Sequence, residues 1–279
     1  MDSSTWLPPS VGLGWRRDIA GVFDELPGIR FCEVIAESLP DHGPLPDPLT
    51  ELIDRGVTVV PHGVRLSLGG AEPVDPARVE FLAGCAERLG APLVSEHIAF
   101  VRAGGLEAGH LLPVPRTAEA IDVLVRNITR TQTALSVPLA LEPIAALFDW
   151  PDNDIDEADF LTELVERTDA WLLLDVANVY ANARNRGQDP YPLLERLPTE
   201  RIAYVHVAGG AVGPDGLYHD THTDPTPPQV LALVSALAER RPVPFLLERD
   251  GHYPPKRELF AELDAIADAA GLPRITHVG

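Results

Sequence analysis

Trp171 to Asp175 reads WLLLD, four apolar side chains in succession closed by an acid. A parallel strand covered on both faces reads as an unbroken Val/Ile/Leu run rather than an alternating one, and WLLLD has that form. Seven more short runs share it: Val11 to Trp15 (VGLGW), Arg30 to Ile35 (RFCEVI), Val57 to His62 (VTVVPH), Pro92 to His97 (PLVSEH), Val137 to Glu142 (VPLALE), Ile202 to His206 (IAYVH) and Val243 to Glu248 (VPFLLE). Most end in His, Glu or Asp. The intervening segments are long enough for the helices that parallel strands need as crossovers. Helices are predicted over Asp18 to Leu26, Asp47 to Arg55, Asp75 to Leu89, Thr117 to Leu135, Glu157 to Thr168, Pro190 to Leu197, Pro227 to Arg240 and Lys256 to Ala270. Eight strand–helix alternations predict an α/β fold, a single TIM (β/α)8 barrel over residues 1–279, with every strand end at one mouth.

The composition fits that expectation. A barrel of roughly 250 residues uses nearly all of the 279 available, and no second domain is expected. Hydrophobic content is 45% and charged content 23%, ordinary for a globular protein. The formal net charge of -20 repels a phosphate backbone, so nucleic acid is not an expected partner. MDSSTWLPPS lacks the basic and apolar parts of a signal peptide, and no apolar stretch approaches the roughly 20 residues of a membrane span. A cytoplasmic location is expected. Cys32 and Cys85 are too few for a disulfide framework and are read as small reduced residues.

Nine groups gather at the strand ends and in the segment YHDTHTD: His62, His97, Glu142, Asp175, Asn178, His206, Asp220, His222 and Glu248. Buried carboxylates are costly without cations, and the neighbours here are imidazoles and further acids rather than Lys or Arg. Bound metal resolves that conflict. Imidazole and carboxylate without thiolate suit iron, manganese or zinc. One octahedral ion takes about six ligands, so nine candidates predict two or three ions, with Glu142 and Glu248 as expected bridges. Taken singly, each of these residues has an ordinary structural role; the convergence carries the inference. His42, His110, His219, His252 and His277 lack that strand-end placement and are read as loop residues, His110 and His219 being the two expected to support the centre. Neither a phosphate loop nor a nucleophile elbow is present.

The strings GLGWR, PHGVRLSLG, SEHIAF, LLPVPRT, LLLDVANVY, HVAG, DTH and LLERD, in this order over nearly the whole chain, resemble the multinuclear non-heme iron-dependent oxidative enzymes, the MNIO family. The resemblance implies two or three irons at a barrel mouth and dioxygen as co-substrate. It also implies oxidative modification of a precursor peptide, most often at cysteine, in natural-product or metallophore biosynthesis. Carried over one by one, the family's ligand pattern falls on the nine residues above. The chain departs from it at Pro143 and Ala177, where the family usually has Asn, at Gly210, where it tends to carry His, and at Arg186, within an expected Asn-His-Gly.

Peptide capture is expected along Pro40 to Pro48 or Gly104 to Leu111, with a separate protein presenting the leader. Two other readings are a single-metal sugar isomerase or epimerase using Glu142, Asp175, His206 and Glu248, and a non-catalytic metal-dependent peptide-binding protein. A tri-zinc endonuclease on the same scaffold is disfavoured by the acidic charge.

Overall fold

The computed structural model describes residues 6–277; the two ends of the predicted 1–279 domain, residues 1–5 and 278–279, lie outside the described residues. Eight parallel strands close a barrel. In chain order they are β1 (Val11–Trp15), β2 (Phe31–Ile35), β3 (Thr58–Gly63), β4 (Val94–His97), β7 (Leu139–Glu142), β8 (Trp171–Asp175), β9 (Ile202–Val207) and β12 (Phe245–Leu247). Each pairs with its chain neighbours, and β12 closes on β1 through Val11↔Phe245, Gly12↔Leu246 and Leu13↔Leu247. The predicted (β/α)8 barrel is therefore the observed fold. Among the described residues no helix is long and apolar enough to cross a membrane.

Helices α1 (Asp47–Asp54), α2 (Pro76–Leu89), α3 (Ala118–Ala134), α4 (Glu157–Thr168), α7 (Pro228–Arg240) and α8 (Lys256–Ala270) match the predicted ones to within a residue or two. Their starts follow local chemistry: Asp75, Thr117 and Asp156 each accept a backbone N–H from the first turn. The expected first helix is 3-10 over Arg17–Glu25.

Two expectations need correction. After β8 the chain does not wait until Pro190 to become helical. Helix α5 (Val176–Arg186) starts at once, and only the short α6 (Tyr191–Arg196) lies in the predicted place. Asn178, Asn182 and Asn185 disguise α5, because Asn is a poor helix former. Its nucleus is Asp175, whose Oδ1 accepts from the N–H groups of Ala177 (2.6 Å) and Asn178 (3.1 Å). The alternation is also interrupted by two antiparallel hairpins at the mouth, β5–β6 (Ala99–Ala103 and Leu106–Pro113) and β10–β11 (Gly210–Val212 and Tyr218–Asp220).

Alternate residues of a strand face opposite sides. One set, including Cys32, Val34, Val59, Leu139, Leu141, Leu172, Leu174, Val205 and Val207, joins the helix faces in one large apolar cluster. The other set fills the barrel. Phe31, Val60, Leu93, Ala140, Leu173, Tyr204 and Leu246 form a second cluster that contains no helical residue. Gly12 completes this layer as a space, for a Cβ there would sit 2.7 Å from the Phe31 ring. Two residues further along the same strands stand Glu33, His62, Glu142, Asp175, His206 and Glu248; on β4, Ser95 and then His97 follow Leu93. The period of a strand thus stacks a polar layer directly on an apolar one.

Candidate metal centre

Eight of the nine predicted residues come together at the mouth in overlapping groups. His62, His97 and Glu142 form one; Glu142, Asp175, His206 and Glu248 a second; Asp175, Asp220 and His222 a third. Within each group the candidate ligand atoms lie within 4.8 Å of one another. Glu142 belongs to the first two and Asp175 to the last two, so each is shared between groups, and the two expected bridges, Glu142 and Glu248, both have shared positions. Glu248 joins the second group and a further one with His222 and Asp250. Asn178 stands beside the groups on the first turn of α5, with its Nδ2 donating to Pro143 O at 3.1 Å.

Strand register explains the proximity. His97 lies opposite Glu142, and Asp175 opposite His206, each pair on adjacent strands. Glu248 follows Leu246 and Leu247, which pair with His206 and Val207. Asp220 and His222 come from the hairpin after β9, which folds back over the mouth: His222 N–H donates to Gly209 O at 3.0 Å, and Asp250 N–H to His222 O at 3.1 Å. His222 takes a left-handed backbone, φ 54°, a strained setting for a side chain and a mark of a constrained site. Arg249 braces this loop from behind, bonding Thr223 O (2.7 Å) and Glu262 on α8 (2.5 and 3.0 Å).

Every histidine of the centre has one ring nitrogen engaged outside it and the other facing in. His62 Nδ1 meets Ser95 Oγ at 2.8 Å, and its Nε2 lies 3.4 Å from Glu142. His97 Nδ1 donates to Gly63 O at 3.1 Å, leaving Nε2 3.3 Å from Glu142. His206 reverses the pattern, with Nε2 2.8 Å from Glu33 and Nδ1 3.3 and 3.1 Å from Glu142 and Glu248. His222 Nδ1 meets Asp250 at 3.0 Å and Nε2 meets Asp220 at 2.6 Å. An outer acceptor that fixes the ring and its tautomer is the usual companion of a metal-ligating histidine.

The donor set fits a metal on a second count. Buried polar atoms almost always find a partner, yet among the described residues seven side-chain atoms are buried without a hydrogen bond: Trp15 Nε1, Glu33 Oε1 and Tyr218 Oη, and the four atoms Glu142 Oε2, Asp175 Oδ2, His206 Nδ1 and Asp220 Oδ1. All four belong to the converging groups. Glu33, Glu142, Asp175, Asp220, Glu248 and Asp250 surround the centre, and Arg16 is the permanent cation beside them, bonding Glu248 at 3.0 Å and Asp250 at 2.8 Å.

Protons take up the strain when no cation is present. Burial opposes charge on His97, but Glu142 and Glu96 outweigh it and lift the imidazole to about 9. For His206 and His222 burial is again outweighed, by Glu33 and Glu142 in one case and Glu248 and Asp220 in the other, and both sit well above the ordinary value. Burial, then Asp220 and Glu142, push the Asp175 carboxyl up to about 8. Burial works the other way on Glu142, but His206 and His97 bring it down to about 2. His62, held low chiefly by burial, is a neutral donor.

Two supporting histidines are placed differently from expectation. His110 is exposed on the β5–β6 hairpin, and His219 pairs with Asp215 at 2.9 Å. Sequence reasoning in turn passed over Glu33, Tyr204, Arg16 and Asp250. Glu33 carried a signal, an acid in the middle of the buried run FCEVI, and Asp250 stood in LLERD beside a predicted ligand. Glu96 has a backbone role, accepting from the N–H groups of Leu66 (2.9 Å) and His97 (2.8 Å).

The departures from the expected pattern lie around this centre. A Cβ at Gly210 would run into His219 O and the Tyr218 ring, so this hairpin has no room for a side chain there. Arg186 binds Asp149 through Nε and Nη2 (2.8 and 2.9 Å) and Glu157 through Nη1 (2.9 Å), tying α5 to the segment that follows β7.

Solved structures share the barrel. Endonuclease IV from Thermus thermophilus superposes with a TM-score of 0.63 at 18% identity, covering 94% of this chain and 99% of that one. D-psicose 3-epimerase from Clostridium cellulolyticum gives 0.62 at 12% identity, covering 94% and 98%. At these identities the likeness is one of fold. Sequence relatives are nearer. A UPF0276 protein of Streptomyces avermitilis is 54% identical over 265 residues, which are 92% of this chain and 54% of that protein, so the chain spans about half of its length. A UPF0276 protein of Caulobacter vibrioides is 38% identical over 256 residues, 91% of each chain. The model of one family matches residues 10–271, and the chain belongs to that family, described as the RiPP precursor modification enzyme MbnB/TglH/ChrH.

Proposed function

We propose that the chain is a multinuclear, iron-dependent enzyme that uses dioxygen to modify a precursor peptide oxidatively, most often at cysteine. The observation that carries the reading is the sharing of Glu142 and Asp175 among three donor groups. Bridging carboxylates of this kind hold metal ions close together, at roughly 3.5 to 4 Å. The proposed ligands are His62, His97, Glu142, Asp175, Asn178, His206, Asp220, His222 and Glu248. When bound, iron supplies the electrons for dioxygen chemistry and an anchoring point for a substrate thiolate.

The chain's own residues hold and shape the site. Glu33, Ser95, Gly63 and Asp250 orient the four imidazoles, and Arg16 keeps Glu248 and Asp250 from turning outward. The apolar layer beneath closes the barrel floor, so solvent and substrate reach the centre from the mouth. Around that mouth stand exposed apolar side chains, Leu106 on the β5–β6 hairpin, Leu147 and Phe148 after β7, and Val212 on the β10–β11 hairpin. Large exposed apolar groups mark contact surfaces, and here they suit an extended peptide better than a sugar. A separate protein that presents the leader belongs to the same proposal, as does a cytoplasmic site of action.

The single-metal epimerase reading rests on one group, Glu142, Asp175, His206 and Glu248, and leaves His62, His97, Asp220 and His222 without a task. Metal analysis of the purified chain, with oxygen consumption measured on a cysteine-containing peptide encoded beside its gene, separates the readings. The proposal expects two or three irons and peptide-dependent oxygen uptake. One manganese and sugar turnover would establish the epimerase, and peptide binding without oxygen uptake the non-catalytic alternative.

A further inference from the structure

Beneath the centre runs a buried chain of hydrogen bonds that joins two of its histidines. Tyr204 Oη donates to Glu33 Oε2 at 2.5 Å, and His206 Nε2 lies 2.8 Å from the same oxygen. On its other side Tyr204 Oη is 2.8 Å from Ser95 Oγ, which is 2.8 Å from His62 Nδ1. Glu33, Ser95, Tyr204 and His206 are 0% exposed and His62 2%, so the chain is shielded from bulk solvent.

The direction of every bond follows from one end. Glu33 Oε2 accepts from the Tyr204 hydroxyl. Tyr204 has one hydroxyl hydrogen and spends it on Glu33, so towards Ser95 it only accepts. Ser95 therefore spends its single hydrogen on Tyr204 and accepts from His62, which must carry its proton on Nδ1. His206 in turn carries its proton on Nε2. On His62 the bare nitrogen left over is Nε2, and on His206 the nitrogen that a metal would take by displacing a proton is Nδ1; both face Glu142.

We infer that Glu33, through Tyr204 and Ser95, is the positioning residue that sets the tautomers of His62 and His206 together and so prepares two neighbouring donor groups from one buried acid. The inference rests on the metal-centre reading, but its first consequence, the proton position on His62, belongs to the protein without metal. Removing the Tyr204 hydroxyl frees Ser95 to donate to His62 Nδ1, which drives the ring proton to Nε2 and blocks the inward nitrogen. The bond from His206 to Glu33 remains.

Ring-nitrogen NMR of His62 in metal-free wild type and Tyr204→Phe, followed by anaerobic titration of each with ferrous iron, tests the relay. The expected result is an Nδ1–H tautomer in wild type and an Nε2–H tautomer in the variant. The variant should bind iron roughly 10–100-fold more weakly at the His62–His97–Glu142 group, the usual cost of losing an outer partner, with the Glu142–Asp175–His206–Glu248 group at wild-type affinity. Glu33→Gln should weaken both groups. Ser95→Ala provides a second break in the chain, and the Tyr204→Phe/Ser95→Ala double variant should bind the first group no more weakly than Tyr204→Phe does. An Nε2–H tautomer in wild type, or an unchanged tautomer and unchanged iron binding in Tyr204→Phe, would overturn the relay. Wild type that binds no iron but shows the predicted tautomers would instead overturn the metal-centre reading and leave the proton order standing.

Discussion

The barrel interior has two storeys built from the same strands, and they obey opposite rules. In the lower one Phe31, Val60, Leu93, Ala140, Leu173 and Leu246 are close-packed and apolar. In the upper one, a single strand period away, Glu33, His62, Glu142, Asp175, His206 and Glu248 crowd together with several buried atoms lacking a partner. Leu173 and Asp175 are separated by one residue, and so are Ala140 and Glu142. The lower storey stabilises the fold by removing apolar surface from water; the upper one spends stability to hold like charges at close range. A fold tolerates that cost where a cation relieves it.

Substitutions two residues apart should therefore behave as different kinds of lesion. Asp175→Ala removes a member of two donor groups and an N-cap of α5. Metal binding and turnover should fall by more than the roughly 10–100-fold that loss of an outer partner costs, while circular dichroism keeps the signal of the barrel and loses no more than the contribution of α5, whose cap is removed. Retained metal content would break the comparison at its strongest point. Leu173→Ala should do the reverse. It should cost about 2–5 kcal/mol of stability by opening a cavity, with the metal-to-protein ratio of the folded fraction unchanged.

Acidity sharpens the same contrast, because the upper storey titrates and the lower one does not. For the metal-free protein the signs follow from proton counts. Between about 2 and its ordinary value Glu142 is charged in the folded chain and protonated in the unfolded one, so stability rises with pH there. Between its ordinary value and about 8, Asp175 keeps a proton only when folded, and His97 does so up to about 9, so stability falls as pH rises through that span. A melting series should peak in mildly acid solution without metal. Added metal should displace these protons, bind more tightly as pH rises towards 9 and remove the decline. A flat profile from pH 5 to 9 without metal would contradict the charge arrangement. The smallest effect concerns the rim: Arg186→Ala should cost about 1 kcal/mol or less and act mainly on KM for the peptide, through the segment after β7 that Arg186 ties to α5.

The two storeys were also unequally legible in the sequence. The strands announced themselves as apolar runs, and their terminal acids and histidines gave six of the residues that meet at the mouth, with Asp220 and His222 added by the segment YHDTHTD. What escaped were features that depend on register and on tertiary partners. Glu33 lay inside an apolar run, and Tyr204 read as one more core aromatic in IAYVH. Their bond appears only when β2 and β9, far apart in sequence and not adjacent in the barrel, face one another across its interior. Helix α5 hid behind its asparagines because its start is fixed by the Asp175 side chain rather than by propensity. The hairpins, too, are short strand segments with few buried side chains, Ala99 and Val101 on one and Tyr218 on the other, too few for hydrophobic pattern to mark.

The most direct test is the number of ferrous ions that the metal-free chain takes up anaerobically, set beside the same titration of Asp175→Ala. Four overlapping donor groups that share Glu142, Asp175, His222 and Glu248 predict two or three ions per chain in the wild type and a loss of at least one in the variant. A single ion bound equally by both proteins would contradict a shared centre in the upper storey.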